Sequence, residues 1–138
     1  VTFADAVSKG LRVNVKKAYE AAREGMEEKS LGPWSGAPAG WLDNFYKENG
    51  YVPALNYGEE ETDPNVHSFE KRQPVAVTLG TSYDQWALSI LADRLGLEKE
   101  KEYYQKCAHN YRNLYNPETG FFHPKDKDGR WIEPFDYR

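Results

Sequence analysis

The stretch TSYDQWALSILADRLG (residues 81–96) decides the fold. Its apolar side chains recur three and four residues apart, which is the spacing of one face of an α-helix. Thr81 followed by Asp84 has the form of a capping box, which places the predicted start of the helix at Thr81. Gly96 is typical of a helix end. We therefore predict an amphipathic helix over residues 81–96.

A second apolar stripe follows after only a few residues. It comprises Tyr103, Tyr104, Cys107, Ala108, Tyr111, Leu114 and Tyr115. Helices joined by so short a connection pack against each other as an antiparallel αα-hairpin. Upstream, helical spacing also appears over residues 15–26 and over residues 41–46, and the latter stripe stops near Gly50, a residue suited to a left-handed cap. The predicted fold class is mainly α.

The rest of the chain predicts loops and one small sheet. Residues 51–74 contain three prolines and an acidic run, and a loop this long in a compact domain is usually functional or disordered. A turn is expected over residues 116–120. Phe121-Phe122 and Trp131-Ile132 flank the turn dipeptide Asp128-Gly129, which predicts a small β-hairpin near the C-terminus.

Composition and charge exclude several classes of function. With 138 residues the chain is expected to form one domain, and its net charge of −4 without a basic stripe argues against nucleic acid as a partner. No apolar run reaches the ~20 residues that span a bilayer, so no membrane partner is expected. The single cysteine, Cys107, is predicted to be a buried structural thiol.

The sequence predicts no metal site. His67, His109 and His123 lie far apart and match no zinc spacing. The stretch Asp126-Lys127-Asp128-Gly129 lacks the ligand spacing of a calcium loop and is predicted to be a surface turn. The aromatic share of 14% fits carbohydrate binding, because flat rings stack on sugar faces, although rings that fill the core between helices are the commoner cause.

Several longer segments together resemble the central part of glycoside hydrolase family 92 catalytic domains. The segments are YKENGYVPA (residues 46–54), VAVTL (75–79), SYDQW (82–86), YRNLYNPETGFF (111–122), PKD (124–126) and DG (128–129). The series from residue 111 to residue 122 is the most specific. The resemblance extends from about Tyr46 to Tyr137, with weaker similarity over the first helix.

This resemblance implies a two-part enzyme, with an N-terminal β-sandwich followed by an (α/α)6 toroid of αα-hairpins. Residues 1–138 would be part of the toroid, without the sandwich and without the C-terminal catalytic part. The family implies calcium-dependent exo-α-mannosidases that act with inversion on N-glycans and mannans. α-Mannoside glycans are therefore the expected partners, and a secreted or periplasmic location is suggested.

The residues expected to perform the chemistry are missing from the chain. The family's catalytic acid lies in a Glu-Gly-Asn-Ala-Trp-type motif and its base in an Asn-Asp-Asp-type motif, and both are expected beyond Arg138. We therefore predict no catalytic residue here, no calcium ligand and no activity of the chain alone. Its family counterparts more often have Leu-Glu-Tyr-Ala-Tyr-Asp-Asp-Trp at residues 79–86, so Gly80 and Gln85 suggest a divergent branch.

Tyr83, Asp84 and Trp86 are the predicted substrate contacts, because a helix start can face the central cavity of a toroid. For Asp84 the alternative is a capping residue, which the helix dipole favours. Two other functions stay open, a non-catalytic carbohydrate-binding module and a helical protein-interaction module. An incomplete toroid also exposes an apolar flank, which predicts self-association.

Overall fold

The computed structural model describes residues 1–136, so Tyr137, the last residue of the resemblance, lies outside the described residues. The fold is mainly helical and includes one two-stranded antiparallel sheet. Its elements are α1 (Thr2–Ser8), α2 (Val15–Glu28), α3 (Trp41–Asn49), α4 (Pro74–Arg94), α5 (Glu98–Cys107), a 3-10 helix (Asn110–Leu114), β1 (Tyr115–Asn116) and β2 (Phe121–Phe122).

The predicted αα-hairpin is confirmed as the pair α4 and α5. Residues 95–97 join the two helices, and Gly96 adopts a φ of +70° that a residue with a side chain rarely takes. The main core lies where α1, α2 and α5 pack on α4. Its buried members are Ala4, Val7, Ala18, Tyr19, Ala87, Leu88, Leu91, Ala92 and Tyr104.

The predicted start of the long helix at Thr81 is wrong. The helix α4 begins at Pro74, since a proline at the first helical position has a suitable φ and lacks only an N–H that would be unpaired there. Thr81 and Ser82 are buried in its interior, and the Ser82 hydroxyl donates to the Thr78 carbonyl one turn earlier, at 2.8 Å. Asp84 is therefore not a capping residue.

The second helix of the hairpin is shorter than its apolar stripe predicted. The helix α5 ends at Cys107, and the chain continues as a 3-10 helix. Here the amide of Asn110 donates to the Tyr46 hydroxyl at 3.4 Å, and the amide of Asn113 donates to the Gly50 carbonyl at 3.1 Å. These contacts tie the segment to the end of α3, where Gly50 has the predicted left-handed conformation.

The helix α1 was not predicted.

The small sheet exists, but not between the predicted strands. Phe121 pairs with Asn116, so the hairpin is closed by the predicted turn at residues 116–120 rather than by Asp128-Gly129. Asn116 favours this turn because its side-chain oxygen accepts the Glu118 N–H at 3.0 Å. Asp128-Gly129 does form a turn, but between Lys125 and Trp131 there is only an isolated bridge.

Hydrogen bonds hold the long loop, residues 50–73, near its beginning and near its end. The Arg72 guanidinium donates to both carboxylate oxygens of Glu61, at 2.6 and 2.8 Å, and to the Pro53 carbonyl at 3.1 Å. The Val52 N–H donates to the Thr78 hydroxyl, at 2.9 Å.

Nowhere in residues 1–136 is a helix both long and apolar enough to cross a membrane.

Candidate functional site

The candidate site is a groove, the Tyr83–Trp86 groove, on the side of α4 that faces the end of α5. Tyr83 and Trp86 lie one helical turn apart, so their side chains project from the same face. Their rings are stacked, with 5.5 Å between centroids and 8° between planes. About half of each side chain is exposed, at 54% and 45%. The helix thus presents a flat aromatic surface at the wall of an open groove.

The opposite wall comes from the second half of the αα-hairpin and the small sheet. Gln105, Ala108 and His109 line it from α5 and the residues after it, and Tyr111 and Phe122 continue it. The Tyr111 ring meets Phe122 edge-on at 6.3 Å, which fixes the end of the groove. The groove has a volume of about 770 Å³, within the range of typical ligand pockets.

The lining of the groove suits binding rather than bond cleavage. Stacked aromatic rings match the apolar faces of a sugar, while the Tyr83 hydroxyl and the Trp86 indole N–H remain polar. Gln105 adds an amide, and His109 adds an imidazole whose Nδ1 lies 3.0 Å from the Gln105 carbonyl oxygen. None of the described lining residues carries a carboxyl group.

Asp84 lies apart from the other two predicted substrate contacts. It borders a second groove, between α1, α2 and α4, together with Phe3 and Met26. Its Oδ1 lies 3.5 Å from the α-amino nitrogen of Val1. Successive residues on a helix are about 100° apart, so Asp84 faces away from the stacked rings although it follows Tyr83 directly. The structure therefore joins Tyr83 with Trp86 and separates both from Asp84.

Three carboxyl groups among residues 1–136 have a shifted pKa, and in Asp93, Glu61 and Asp126 alike the pKa is lowered. Burial acts to raise the pKa of Glu61, but the hydrogen bonds and charge of Arg72 and the backbone N–H groups of Asp63 and Thr62 together outweigh it and leave this pKa below its ordinary value. The pKa of Asp126 is lowered in the same way, by the N–H groups of Arg130 and Asp128 and the amide of Asn56. A glycosidase acid needs a raised pKa, so neither group fits that role.

Asp126 and His123, two side chains that a metal ion could use, are engaged in hydrogen bonds. The Asp126 carboxylate accepts the backbone N–H groups of Asp128 and Arg130, both at 2.9 Å, and so faces hydrogen-bond donors instead of a cation. His123 is buried, with Nε2 at 2.6 Å from the Ile132 carbonyl oxygen. Within residues 1–136 no group of three or more His, Cys, Asp and Glu side chains could hold a metal.

The predicted structural role of Cys107 agrees with its surroundings. The side chain is partly buried, and burial raises the pKa of its thiol despite a hydrogen bond with Tyr103. A raised pKa keeps the thiol protonated and unreactive.

Sequence reasoning missed the wall that α5 contributes. Gln105, Ala108 and His109 are spaced three and four residues apart, which places them on one helix face. This polar–small–polar pattern is visible in the sequence. It does not indicate a binding site by itself, because only the structure shows that these residues lie opposite the stacked rings of Tyr83 and Trp86.

An open groove with exposed aromatic rings and polar groups at its edges is an arrangement that suits the binding of a sugar. The chain belongs to glycosyl hydrolase family 92, because the model of that family's catalytic domain matches residues 1–138. The family predicted from the sequence is thereby confirmed. No curated protein matches the chain.

Solved structures of this family share the fold. The family GH92 inverting mannosidase BT2199 from Bacteroides thetaiotaomicron VPI-5482 is 31% identical, with a TM-score of 0.74 over 97% of this chain. The family GH92 α-mannosidase BT3965 from Bacteroides thetaiotaomicron is 25% identical, with a TM-score of 0.70 over 96% of this chain. BT3965 has also been solved in complex with mannoimidazole. The GH92 hydrolase ccman5 shares the fold, at 23% identity, 96% coverage of this chain and a TM-score of 0.60.

The chain spans only a small part of these relatives. It covers 16% of BT2199 and 15% of both BT3965 and ccman5. The helical hairpin, the small sheet and the likeness to these structures are consistent with part of an α/α toroid.

Proposed function

We propose that the chain is part of the catalytic domain of a glycoside hydrolase that releases mannose from α-mannosides, such as N-glycans and mannans, with inversion. The observation that carries this proposal is the family match over residues 1–138. The likeness to an inverting mannosidase at 31% identity supports the substrate and the stereochemistry.

Within that enzyme, the Tyr83–Trp86 groove holds a sugar residue. The parallel rings, 5.5 Å apart, provide a flat apolar surface, and the edge groups of Gln105 and His109 provide hydrogen bonds to hydroxyl groups. Contact between Asp84 and the substrate stays a prediction. The reason given for it, a position at a helix start, does not hold, because Asp84 lies in the interior of α4. It also lies outside this groove.

The reaction itself needs groups that this chain does not supply. In inversion one carboxylic acid protonates the departing oxygen while a carboxylate activates a water on the opposite face of the ring. The low pKa values of Glu61 and Asp126 keep both groups ionised and bound to their partners. Neither group therefore fits the general acid. We assign the acid and the base to parts of the enzyme outside this chain, as the family's motifs imply, and we expect the chain alone to be inactive.

The proposed calcium ion and the proposed cellular location rest on membership of the family and not on the residues of this chain. We assign the calcium to ligands outside residues 1–136, because no group of three or more His, Cys, Asp and Glu side chains among them could hold a metal and the Asp126 carboxylate accepts two backbone N–H groups. An enzyme that trims glycans is expected to be secreted or periplasmic, and fractionation of cells that express the longer protein tests this.

The product anomer tests the proposed reaction. The longer protein that carries this chain is incubated with an aryl α-mannoside, and the released sugar is followed by proton NMR before it equilibrates. Inversion at the anomeric carbon predicts that β-mannose appears first. Release of α-mannose would contradict inversion, and no release of mannose would contradict the proposed activity. The 138-residue chain alone is expected to release none.

One observation favours a second candidate, a non-catalytic carbohydrate-binding module. The Tyr83–Trp86 groove combines stacked rings with a described lining that contains no carboxyl group. Sugar binding by the longer protein without any release of mannose would favour this module. Recovery of a protein partner that does not depend on glycan would instead favour a helical interaction module.

A further inference from the structure

A separate cleft, the Trp41 cleft, lies between the start of α3 and the long loop. Its lining combines one large ring with charged and hydroxyl groups, namely Trp41, Glu59, Glu60, Thr62, Arg72 and Lys127. It encloses about 430 Å³, which is enough for a ligand the size of one or two sugar residues. None of these residues belongs to the Tyr83–Trp86 groove.

Arg72 is rigidly placed at the wall of this cleft. Only 8% of the residue is exposed, and its guanidinium holds both oxygens of Glu61 and the Pro53 carbonyl. These contacts use three of the five N–H groups that a guanidinium carries. The two others have no partner among the described contacts, so a ligand in the cleft can accept them without displacing Glu61.

Trp41 provides the apolar surface of the cleft. The centre of the Arg72 guanidinium lies 5.7 Å from the Trp41 ring centroid, a cation–π distance that fixes the ring relative to the charge. Half of Trp41 is nevertheless exposed. An exposed indole beside an immobile planar donor is the arrangement that stacks on a sugar ring and binds its hydroxyl groups.

The charges at the cleft favour a neutral ligand. Glu59 and Glu60 contribute two negative charges and Lys127 contributes one positive charge, Thr62 contributes a hydroxyl group, and the charge of Arg72 is balanced by Glu61. A phosphate would meet the two carboxylates, and a cation would meet the two basic groups, so neither is matched. The hydroxyl groups of a polyol can donate hydrogen bonds to the carboxylates and accept hydrogen bonds from the cationic N–H groups. A polyol can therefore form hydrogen bonds with all of these side chains.

We propose that the Trp41 cleft is a second sugar-binding subsite, which holds a neutral sugar residue of the oligosaccharide away from the Tyr83–Trp86 groove. That this sugar is mannose rests on the proposed function. The Arg72 side chain is already ordered by Glu61, so it loses little conformational entropy when a ligand binds. The long loop, residues 50–73, thereby has a role in the selection of the glycan.

Fluorine NMR tests this subsite directly. The chain has four tryptophans, at positions 34, 41, 86 and 131, so 5-fluorotryptophan gives four resonances that single substitutions assign. During titration with an α-linked mannotriose, the Trp41 resonance is expected to shift saturably. The resonance of Trp34, which is 83% exposed and lines neither site, is expected to stay unchanged.

The possible results separate this proposal from the proposed function. A shift of Trp86 without a shift of Trp41 overturns the second subsite and leaves the mannoside reading intact. A shift of Trp41 with other trisaccharides but not with mannotriose keeps the subsite and overturns its assignment to mannose. No shift of either resonance at any concentration of any trisaccharide overturns sugar binding at both places, while the release of mannose by the longer protein remains the test of the proposed activity.

Two substitutions give an independent measure by calorimetry. Trp41→Ala is expected to weaken the binding of mannotriose to this cleft by about tenfold, the equivalent of ~1.4 kcal/mol. Lys127→Ala removes a donor from an exposed position where no loss of folding is expected, and should weaken binding severalfold. The matched control is Lys99→Ala, an exposed lysine on α5. Unchanged affinity in the Lys127 variant and in a folded Trp41 variant contradicts the proposal.

Discussion

The rings of Tyr83 and Trp86 are almost parallel, at 8°, with their centroids 5.5 Å apart. Both project from one face of α4, and neither is covered by the rest of the described chain, as about half of each remains exposed. Large exposed aromatic groups in contact with each other usually mark a binding surface. Asp84, between them in sequence, faces a different groove, so the helix separates an apolar aromatic surface from an acidic edge.

Replacement of Leu91 by alanine is expected to destabilise the fold strongly. Leu91 is 2% exposed and belongs to the core where the other helices meet α4. Such a large-to-small change in a core costs about 2–5 kcal/mol. Urea denaturation measures the loss in the free energy of unfolding. Leu11→Ala, at a position 62% exposed, serves as the control, and equal losses in both variants would contradict the assigned core.

Glu61 gives the fold a pH-dependent contribution. Burial opposes ionisation of Glu61, but the Arg72 fork holds its pKa below the ordinary value of 4.5. A carboxyl group with a lowered folded pKa stabilises the fold above its unfolded pKa, and this contribution is lost as the pH falls through the folded pKa. Glu61→Gln should therefore cost about 1–3 kcal/mol at pH 7, because Arg72 loses its charged partner.

The difference between wild type and Glu61→Gln should shrink as the pH falls below about 4.5. Urea titrations at several pH values measure it, and the shifts at Asp93 and Asp126 cancel because both proteins share them. Glu60→Gln, a change at an exposed neighbour, is the control. A cost that stays constant down to pH 3 would contradict the Glu61–Arg72 assignment.

We propose that the 138-residue chain self-associates through the groove between α1, α2 and α4. Phe3 is half exposed at its edge, and Ala22, Met26 and Leu31 line it. Sedimentation equilibrium should show dimers or larger species as concentration rises. Phe3→Glu should shift the chain towards monomer because it places a charge on an apolar surface. The control is Phe69→Glu, at a position 82% exposed and outside this groove. A wild-type chain that stays monomeric at millimolar concentration contradicts the proposal.

The sequence predicted the helical hairpin because its apolar stripes are long and regular. It misplaced the start of α4 because Thr81 and Asp84 imitate a cap, while the true start is set by Pro74. It extended α5 too far because Asn110 and Asn113 form contacts with α3 that no local pattern encodes. The hairpin was misassigned because two turn signals compete, and Asn116 stabilises the first of them.

The candidate site was predicted in part. Tyr83 and Trp86 were singled out for their position on the helix, and the structure brings their rings together. The reason for choosing them, and for choosing Asp84, was a helix start at Thr81 that does not exist. The Trp41 cleft was out of reach, since Arg72 and Trp41 are 31 positions apart in sequence and meet only when the long loop folds back.

The most direct test of the account is saturation-transfer difference NMR of methyl α-mannoside with the 138-residue chain, with Trp86→Ala as the comparison. We expect signals from the sugar ring protons with wild type, a clear decrease of that signal with Trp86→Ala to the part that comes from the Trp41 cleft, and retention with Trp34→Ala, whose side chain lies outside the Tyr83–Trp86 groove. Equal signals from wild type and a folded Trp86→Ala variant would contradict the claim that this groove holds the mannoside.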